Sequence, residues 1–294
     1  MTHRILLLGA SGQLGTALQR ALPALGEVAA CDRMRADLAS ADAVRSAIRE
    51  FKPDVIVNAA AYTAVDRAES EPELAMAING IAPGILAEEA RKANAVMVHY
   101  STDYVFDGAK SGAYVEDDAT HPASVYGRTK LAGEQAVQAA GGAHLIFRTS
   151  WVYGNHGANF MKTMLRLAQE RDHLRVVADQ FGAPTSSDAI AQATVRCLAH
   201  FLATSDSRES LVGLYHMTCA GQTSWHGFAT AIFAEFLTES GRRRLNVEAI
   251  TTEAYPTPAR RPRNSVLSNA KLMAGFGVGL PDWRIALHQV RASA

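Results

Sequence analysis

The stretch RILLLGASGQLGTALQRAL, Arg4 to Leu22, decides how the rest of the chain is read. Its short apolar run, beginning at Ile5, has the character of a strand buried on both faces. Gly9, Gly12 and Gly15 follow at a G-x-x-G-x-x-G spacing and lead into a helix-like stretch. Small residues at such a turn let the backbone approach a pyrophosphate at a helix N-terminus, where free N–H groups and the helix dipole favour negative charge. A bare glycine triplet is a weak signal; one set between a strand and a helix at the start of a chain is a much stronger one.

Working outward, the same unit recurs. EVAACD reads as the next strand and ends at Asp32, twenty residues after Gly12. A carboxylate there can accept hydrogen bonds from the ribose hydroxyls of an adenosine, the alternative being a plain loop aspartate. Arg33 and Arg35 follow at once, and a guanidinium can pair with a 2′-phosphate, so NADH and NADPH both stay open. DVIVNAAA (Asp54 to Ala61) is a third strand, followed by Tyr62 and Thr63. AVMVHYSTDYVF is a fourth, ending at Ser101 and Thr102, and HLIFRTSW a later one running into Trp151. Strands alternating with helical stretches predict an α/β fold, a doubly wound parallel sheet of Rossmann type. Ligands of such sheets sit beyond the C-terminal strand ends, where the glycine turn, Asp32, Ala61 to Thr63, Ser101 to Asp103 and Trp151 all fall.

SVYGRTK (Ser124 to Lys130) places Tyr126 four residues ahead of Lys130, on one face of a helix. Alone, the pair reads more readily as two neighbours on a wet surface. Behind a nucleotide fingerprint it reads as chemistry. The Lys130 cation is expected to bring the phenol down from its usual value of about 10 and to hold the nicotinamide ribose hydroxyls. Thr102 can hydrogen-bond a substrate carbonyl oxygen while Tyr126 donates a proton to it. Hydride would come from the nicotinamide.

The 294 residues suit one large domain or two smaller ones, and 29 basic residues balance 29 acidic ones. Neutrality argues against a protein built to coat nucleic acid or an anionic membrane. Cys31, Cys197 and Cys219 are widely spaced and lack a C-x-x-C pattern, which predicts reduced thiols. The run at Ile5 is too short for a signal peptide or a membrane span, so a soluble, cytoplasmic protein is expected. The ten histidines show no ligand spacing, and His99 reads as structural.

The second half predicts helices over NFMKTMLRLAQERDH, DAIAQATVRCLAHFL and SWHGFATAIFAEFL, the last with a core stripe of Phe228, Ile232 and Phe236. GLYHMT reads as a further strand and DQFGAPT as a glycine–proline loop able to reach a substrate. The expected division is a dinucleotide-binding domain over 1–150 with a return segment at about 184–217, and a discontinuous substrate lobe over 151–183 and 218–294. Arg242 to Arg244 read as a solvated turn. Arg260, Arg261 and Arg263 read evenly as solvated or as bidentate partners of a diphosphate.

The glycine-rich start, the Ser/Thr at the strand end and Tyr-x-x-x-Lys resemble the extended short-chain dehydrogenase/reductase superfamily. Within it, NAAAYTAVDRAESE, VHYSTDYVFDG, VYGRTKLAGE, FRTSWVYG, DQFGAPT and RRPRNSVLSNAKL closely resemble the dTDP-4-dehydrorhamnose reductase family, over essentially the whole chain. The resemblance implies reduction of the C4 ketone of dTDP-4-dehydro-L-rhamnose to dTDP-L-rhamnose with NADPH or NADH. By motif, Gly12, Gln13, Leu14 and Asp32 would hold the adenosine side, with Asp37 and Leu38 near the adenine. Ala61, Tyr62, Thr63 and Tyr100 would line the cofactor path. Thr102 and Asp103 would touch the sugar, Tyr126 would donate the proton with Lys130 as its partner, and Trp151 would border the sugar pocket. The resemblance also admits a homodimer and magnesium. Against magnesium, the chain has no compact carboxylate cluster, and Thr16 and Ala17 stand where a metal-binding carboxylate is looked for. Two other readings remain: a 4-epimerase or 4,6-dehydratase, which keeps its NAD bound, and a regulatory subunit that keeps the fold without chemistry. A dehydratase needs an acidic pair after the threonine, and here the residues are Thr102, Asp103 and Tyr104.

Overall fold

A computed structural model describes residues 2–204, 208–239 and 245–293; the Arg242 to Arg244 group lies outside them. The first half runs β1 (His3–Leu8), α1 (Gln13–Ala21), β2 (Gly26–Cys31), α2 (Ala41–Phe51), β3 (Val55–Asn58) and α3 (Val65–Ala68). Helix α4 (Pro72–Met76) then continues through a π turn (Ala77–Ile81) into α5 (Ala82–Lys92), followed by β4 (Val96–Thr102), α6 (Val125–Ala139) and β5 (His144–Thr149). The second half brings β6 (Val152–Tyr153), α7 (Phe160–Glu170), β7 (His173–Val177), β8 (Phe181–Gly182), β9 (Thr185–Ser186) and α8 (Ser187–Ala203). After it come β10 (Gly213–His216), β11 (Thr223–Ser224), α9 (Trp225–Phe236), β12 (Asn246–Ile250), α10 (Ala270–Phe276) and α11 (Trp283–Ala292).

Six strands form one sheet in the order β10-β5-β4-β3-β1-β2, and every pairing is parallel. The side chains of β1 explain why. Ile5 and Leu7 point into one buried cluster with Leu18 of α1 and Ile190 of α8, whereas Leu6 and Leu8 point into another with Ile48 of α2 and Leu86 of α5. None of the four is more than 1% exposed, and each contributes roughly 2 kcal/mol by leaving water. A strand buried on both faces needs helices on both, which parallel crossovers supply.

The second half is less regular. α8 packs back on α1, and β10 extends the large sheet beyond β5. The remaining strands make three two-stranded pairs, β7 with β12, β8 with β11, and β6 with β9. The predicted DQFGAPT loop therefore contains β8 and the first residue of β9, each only two residues long. Of the predicted α9 stripe, Phe228 and Ile232 are fully buried and Phe236 packs at the rim of the same cluster. A buried bidentate pair, Arg148 to Glu134 at 2.9 and 2.7 Å, ties β5 to α6. No helix among the described residues is long and apolar enough to cross a membrane.

Candidate active site

Strand order reverses about β1: β2 lies on one side of it and β3 on the other. Beyond the C-terminal ends of β1 and β3 a cleft of about 600 Å³ opens, where sheets of this kind bind ligands. Gly9 has φ +75°, and a Cβ there would lie 2.5 Å from the Ala60 nitrogen. Gly15 does not line the cleft; it lets α1 sit directly on the Gly9 carbonyl, where no Cβ fits. Gly12, Gln13 and Leu14 do line it, and no side chain caps the first turn of α1, so its N–H groups suit a diphosphate.

At the end expected for the adenosine, Arg33, Asp37 and Leu38 line the cleft, and Asp32 does not. The Asp32 carboxylate instead accepts from the Met34 and Arg35 amides at 3.0 and 3.2 Å, closing its own loop. Arg35 turns back, its guanidinium 3.5 Å from the Ala30 carbonyl. Spacing sets Asp32 just past the end of β2 but does not say which way its carboxylate turns.

Ala61, Tyr62 and Thr63 line the middle of the cleft. The Tyr62 backbone is held by buried Asn79 of the π turn, whose amide oxygen accepts from the Tyr62 N–H at 2.8 Å and whose nitrogen donates to its carbonyl at 3.0 Å. The Tyr62 phenol donates to Glu71 at 2.7 Å. Gly157 and Ala158, after β6, close the opposite wall. Sequence reading missed them; the glycines of GNHGAN were the available signal, since Gly157 has φ +68° and lies against Gln13.

At the other end Tyr126 and Lys130 of α6 line the cleft with Tyr100 and Ser101 of β4. Lys130 is buried and its ammonium donates to the Tyr100 carbonyl at 2.6 Å. Burial, partly offset by Glu134, brings Lys130 down to about 8. The Tyr126 phenol moves against expectation. Burial pushes it up to about 12, the neighbouring Thr102 hydroxyl pulls it back in part, and the Asp103 charge raises it further. The expected lowering fails because burial, and not the Lys130 cation, dominates the shift. Thr102 and Asp103 lie just past Ser101, outside the main cleft; the Thr102 hydroxyl donates to Asp103 Oδ1 at 2.9 Å. Burial raises the Asp103 carboxyl to about 6 despite the Ser265 and Thr102 hydroxyls beside it. Tyr104 meets Tyr126 edge-on, ring centres 5.6 Å apart.

The model of the RmlD substrate binding domain matches residues 3–294 of this chain. A dTDP-4-dehydrorhamnose reductase of Burkholderia thailandensis is 51% identical over 287 residues, 97% of this chain and 96% of the relative. The chain belongs to the dTDP-4-dehydrorhamnose reductase family. A reductase of this family from Escherichia coli K12 is 46% identical over 97% of this chain and 96% of its own. A third, from Bacillus anthracis and crystallised in complex with NADP, is 36% identical and superposes with a TM-score of 0.90, each chain covered completely.

Family membership sharpens what the remaining residues are asked to do. Trp151, between the cleft-lining Thr149 and Val152, does not itself line the cleft; it is half-buried and stacks on Trp225. Of the RRPR arginines, Arg261 is engaged by Asp66 of α3 through two contacts of 2.7 and 3.1 Å, which leaves little of its guanidinium for a diphosphate. Arg263 lies 3.5 Å from Asp179, and Arg260 is exposed. Among the described residues no three acidic, histidine or cysteine side chains gather to hold a metal ion, and α1 carries Thr16 and Ala17.

Proposed function

We propose that this chain reduces the C4 ketone of dTDP-4-dehydro-L-rhamnose to dTDP-L-rhamnose with NADPH or NADH, a step of nucleotide-sugar synthesis. The observation that carries this reading is that Tyr126 and Lys130 line one end of a cleft suited to a dinucleotide, with the Thr102 hydroxyl beside the Tyr126 phenol. The uncapped turn of α1 and the close-packed Gly9 suit the diphosphate, and the cleft-lining Arg33, if released from Asp37, would pair with a 2′-phosphate. The bound nicotinamide would supply the hydride.

The protein's part is placement and proton transfer. Thr102 would hydrogen-bond the ketone oxygen, and Tyr126 would donate its proton as that oxygen gains charge. A phenol at about 12 is fully protonated at neutral pH, which suits an acid acting in the reductive direction. Lys130, anchored on the Tyr100 carbonyl, would hold the nicotinamide ribose hydroxyls and place a positive charge where it eases loss of the phenolic proton. Asp103 would bind a sugar hydroxyl and Trp151 would wall the sugar side. The two short sheets of the second half, β7–β12 and β8–β11, would form the substrate lobe. Three buried free cysteines suit a reducing cytoplasm.

The test is loss of NAD(P)H absorbance with dTDP-4-dehydrorhamnose, run beside other nucleotide ketosugars and with both cofactors. Turnover confined to the dTDP-deoxysugar supports the reading. Protein purified with NAD firmly bound and no net oxidation of NAD(P)H would replace it with an epimerase.

A further inference from the structure

Three non-glycine residues among those described have positive φ. Lys52 caps α2 and Asn94 follows the end of α5, ordinary places for left-handed backbone. Trp151, at φ +47°, ends no helix. A bulky aromatic in that region is strained, and such strain persists only where the surroundings impose it, commonly at a binding site.

The surroundings are visible. The Trp151 indole lies flat on that of Trp225 in α9, ring centres 3.5 Å apart and planes within 6°. Aromatic pairs left to themselves prefer an offset or an edge-on approach, so near superposition is set by neighbours on both sides. Behind Trp151 is Gly182 of β8, where a Cβ would come within 2.6 Å of the Trp151 Nε1 and 2.7 Å of the Ser265 Oγ. Behind Trp225 are Phe160, at 4.7 Å, and Gln180, whose side-chain oxygen accepts from the Trp225 N–H at 3.2 Å. Gln180 is only 4% exposed and is pinned in turn by its donation to the Thr252 hydroxyl at 3.1 Å. Ser265, which flanks Gly182, also reaches the Asp103 carboxyl. The stacked indoles therefore stand next to the Thr102–Asp103 end of the site.

We infer that Trp225 is a positioning residue: through its stack on Trp151, braced by Gln180, it holds the Trp151 indole as a fixed wall for the sugar. This rests on the reductase reading above. It also gives DQFGAPT a task, since Gln180 locks one indole and Gly182 makes room for the other.

The stack has its own signature. Two superposed indoles couple their transitions and give a paired band in ultraviolet circular dichroism, whereas the third tryptophan, Trp283, meets Phe228 instead. The experiment compares wild type, Trp225→Phe and Trp225→Ala by circular dichroism, by NADPH binding, and by calorimetric binding of dTDP-rhamnose. Both variants should lose the paired band. Trp225→Ala should weaken dTDP-rhamnose binding about tenfold with NADPH affinity kept within about twofold, and Trp225→Phe, which keeps a flat ring, should recover most of the loss. Sugar-nucleotide affinity unchanged by Trp225→Ala, or both ligands weakened equally, overturns the inference. Wild-type turnover judges the reductase reading separately: if it is absent while Trp225→Ala still weakens dTDP-rhamnose binding, that reading falls and the wall stands.

Discussion

Tyr126 and Lys130 were legible because the i, i+4 rule is local: four residues on a helix fix which side chains share a face. Their protonation was not, because burial is a property of the fold. The phenol is pushed up to about 12 and the ammonium down to about 8, both chiefly by desolvation. Two outcomes follow at this scale. Tyr126→Phe removes the proton donor but little packing, so turnover should fall by about 10²–10⁴-fold while NADPH affinity changes little. Single-turnover rates beside cofactor titration check this, and retained turnover would remove Tyr126 from the chemistry. The second outcome concerns pH. Lys130 is charged below about 8 and neutral above it. If its cation assists Tyr126, kcat/KM should decline by about tenfold per pH unit once the pH passes about 8. A profile flat to about pH 10 would contradict that role.

At the scale of elements, the sequence carried the long strands and helices and lost the short ones. β1, β3, β4 and β5 announce themselves as apolar runs bounded by turn residues, since both faces of each strand are buried. β6, β8, β9 and β11 have two residues each, too few for any period to register. The π turn at Ala77–Ile81 was equally silent, although it delivers Asn79 to the Tyr62 backbone. Helix α6 is also fixed from outside itself. Ser124 accepts from the Gly127 N–H at 3.1 Å, a cap read easily from its hydroxyl, but Glu69, 56 positions away, accepts from the Val125 N–H at 2.8 Å. That carboxylate satisfies a free donor beside Tyr126 and complements the helix dipole. Glu69→Ala should cost about 1 kcal/mol of stability and lower kcat/KM by about tenfold, whereas Glu69→Gln, which keeps an acceptor, should stay near wild type. Stability lost without any change in rate would reduce Glu69 to a plain cap.

Across the whole molecule, what the sequence hid is long-range pairing. Arg261 read evenly as solvated or as a diphosphate partner because Asp66, 195 positions earlier, cannot be matched to it by spacing. His216 is hidden in the same way. It sits on β10 opposite Arg148 of β5, fully buried, its ring edge-on to Phe106. Burial first, and the Arg148 charge second, hold it down to about 3. The folded value is below the unfolded one of about 6.5, so from there down to about 3 the unfolded chain binds a proton that the folded chain refuses, and acid favours unfolding. Asp103, raised to about 6, works the other way as the pH falls from about 6 to 3.8, and the His99 and His144 rings are held down by burial as well, so the wild-type slope alone mixes several groups. Replacing the histidine separates them. His216→Leu removes its titration and leaves Asp103 in place, and any packing loss it brings is the same at every pH. Between about pH 6.5 and pH 5 the wild type should therefore lose about 2 kcal/mol relative to the variant, measured by urea unfolding at the two pH values. If the two proteins lose stability in parallel over that range, His216 takes up its proton in the folded state, and the sealed junction of β10 with β5 is open to water after all.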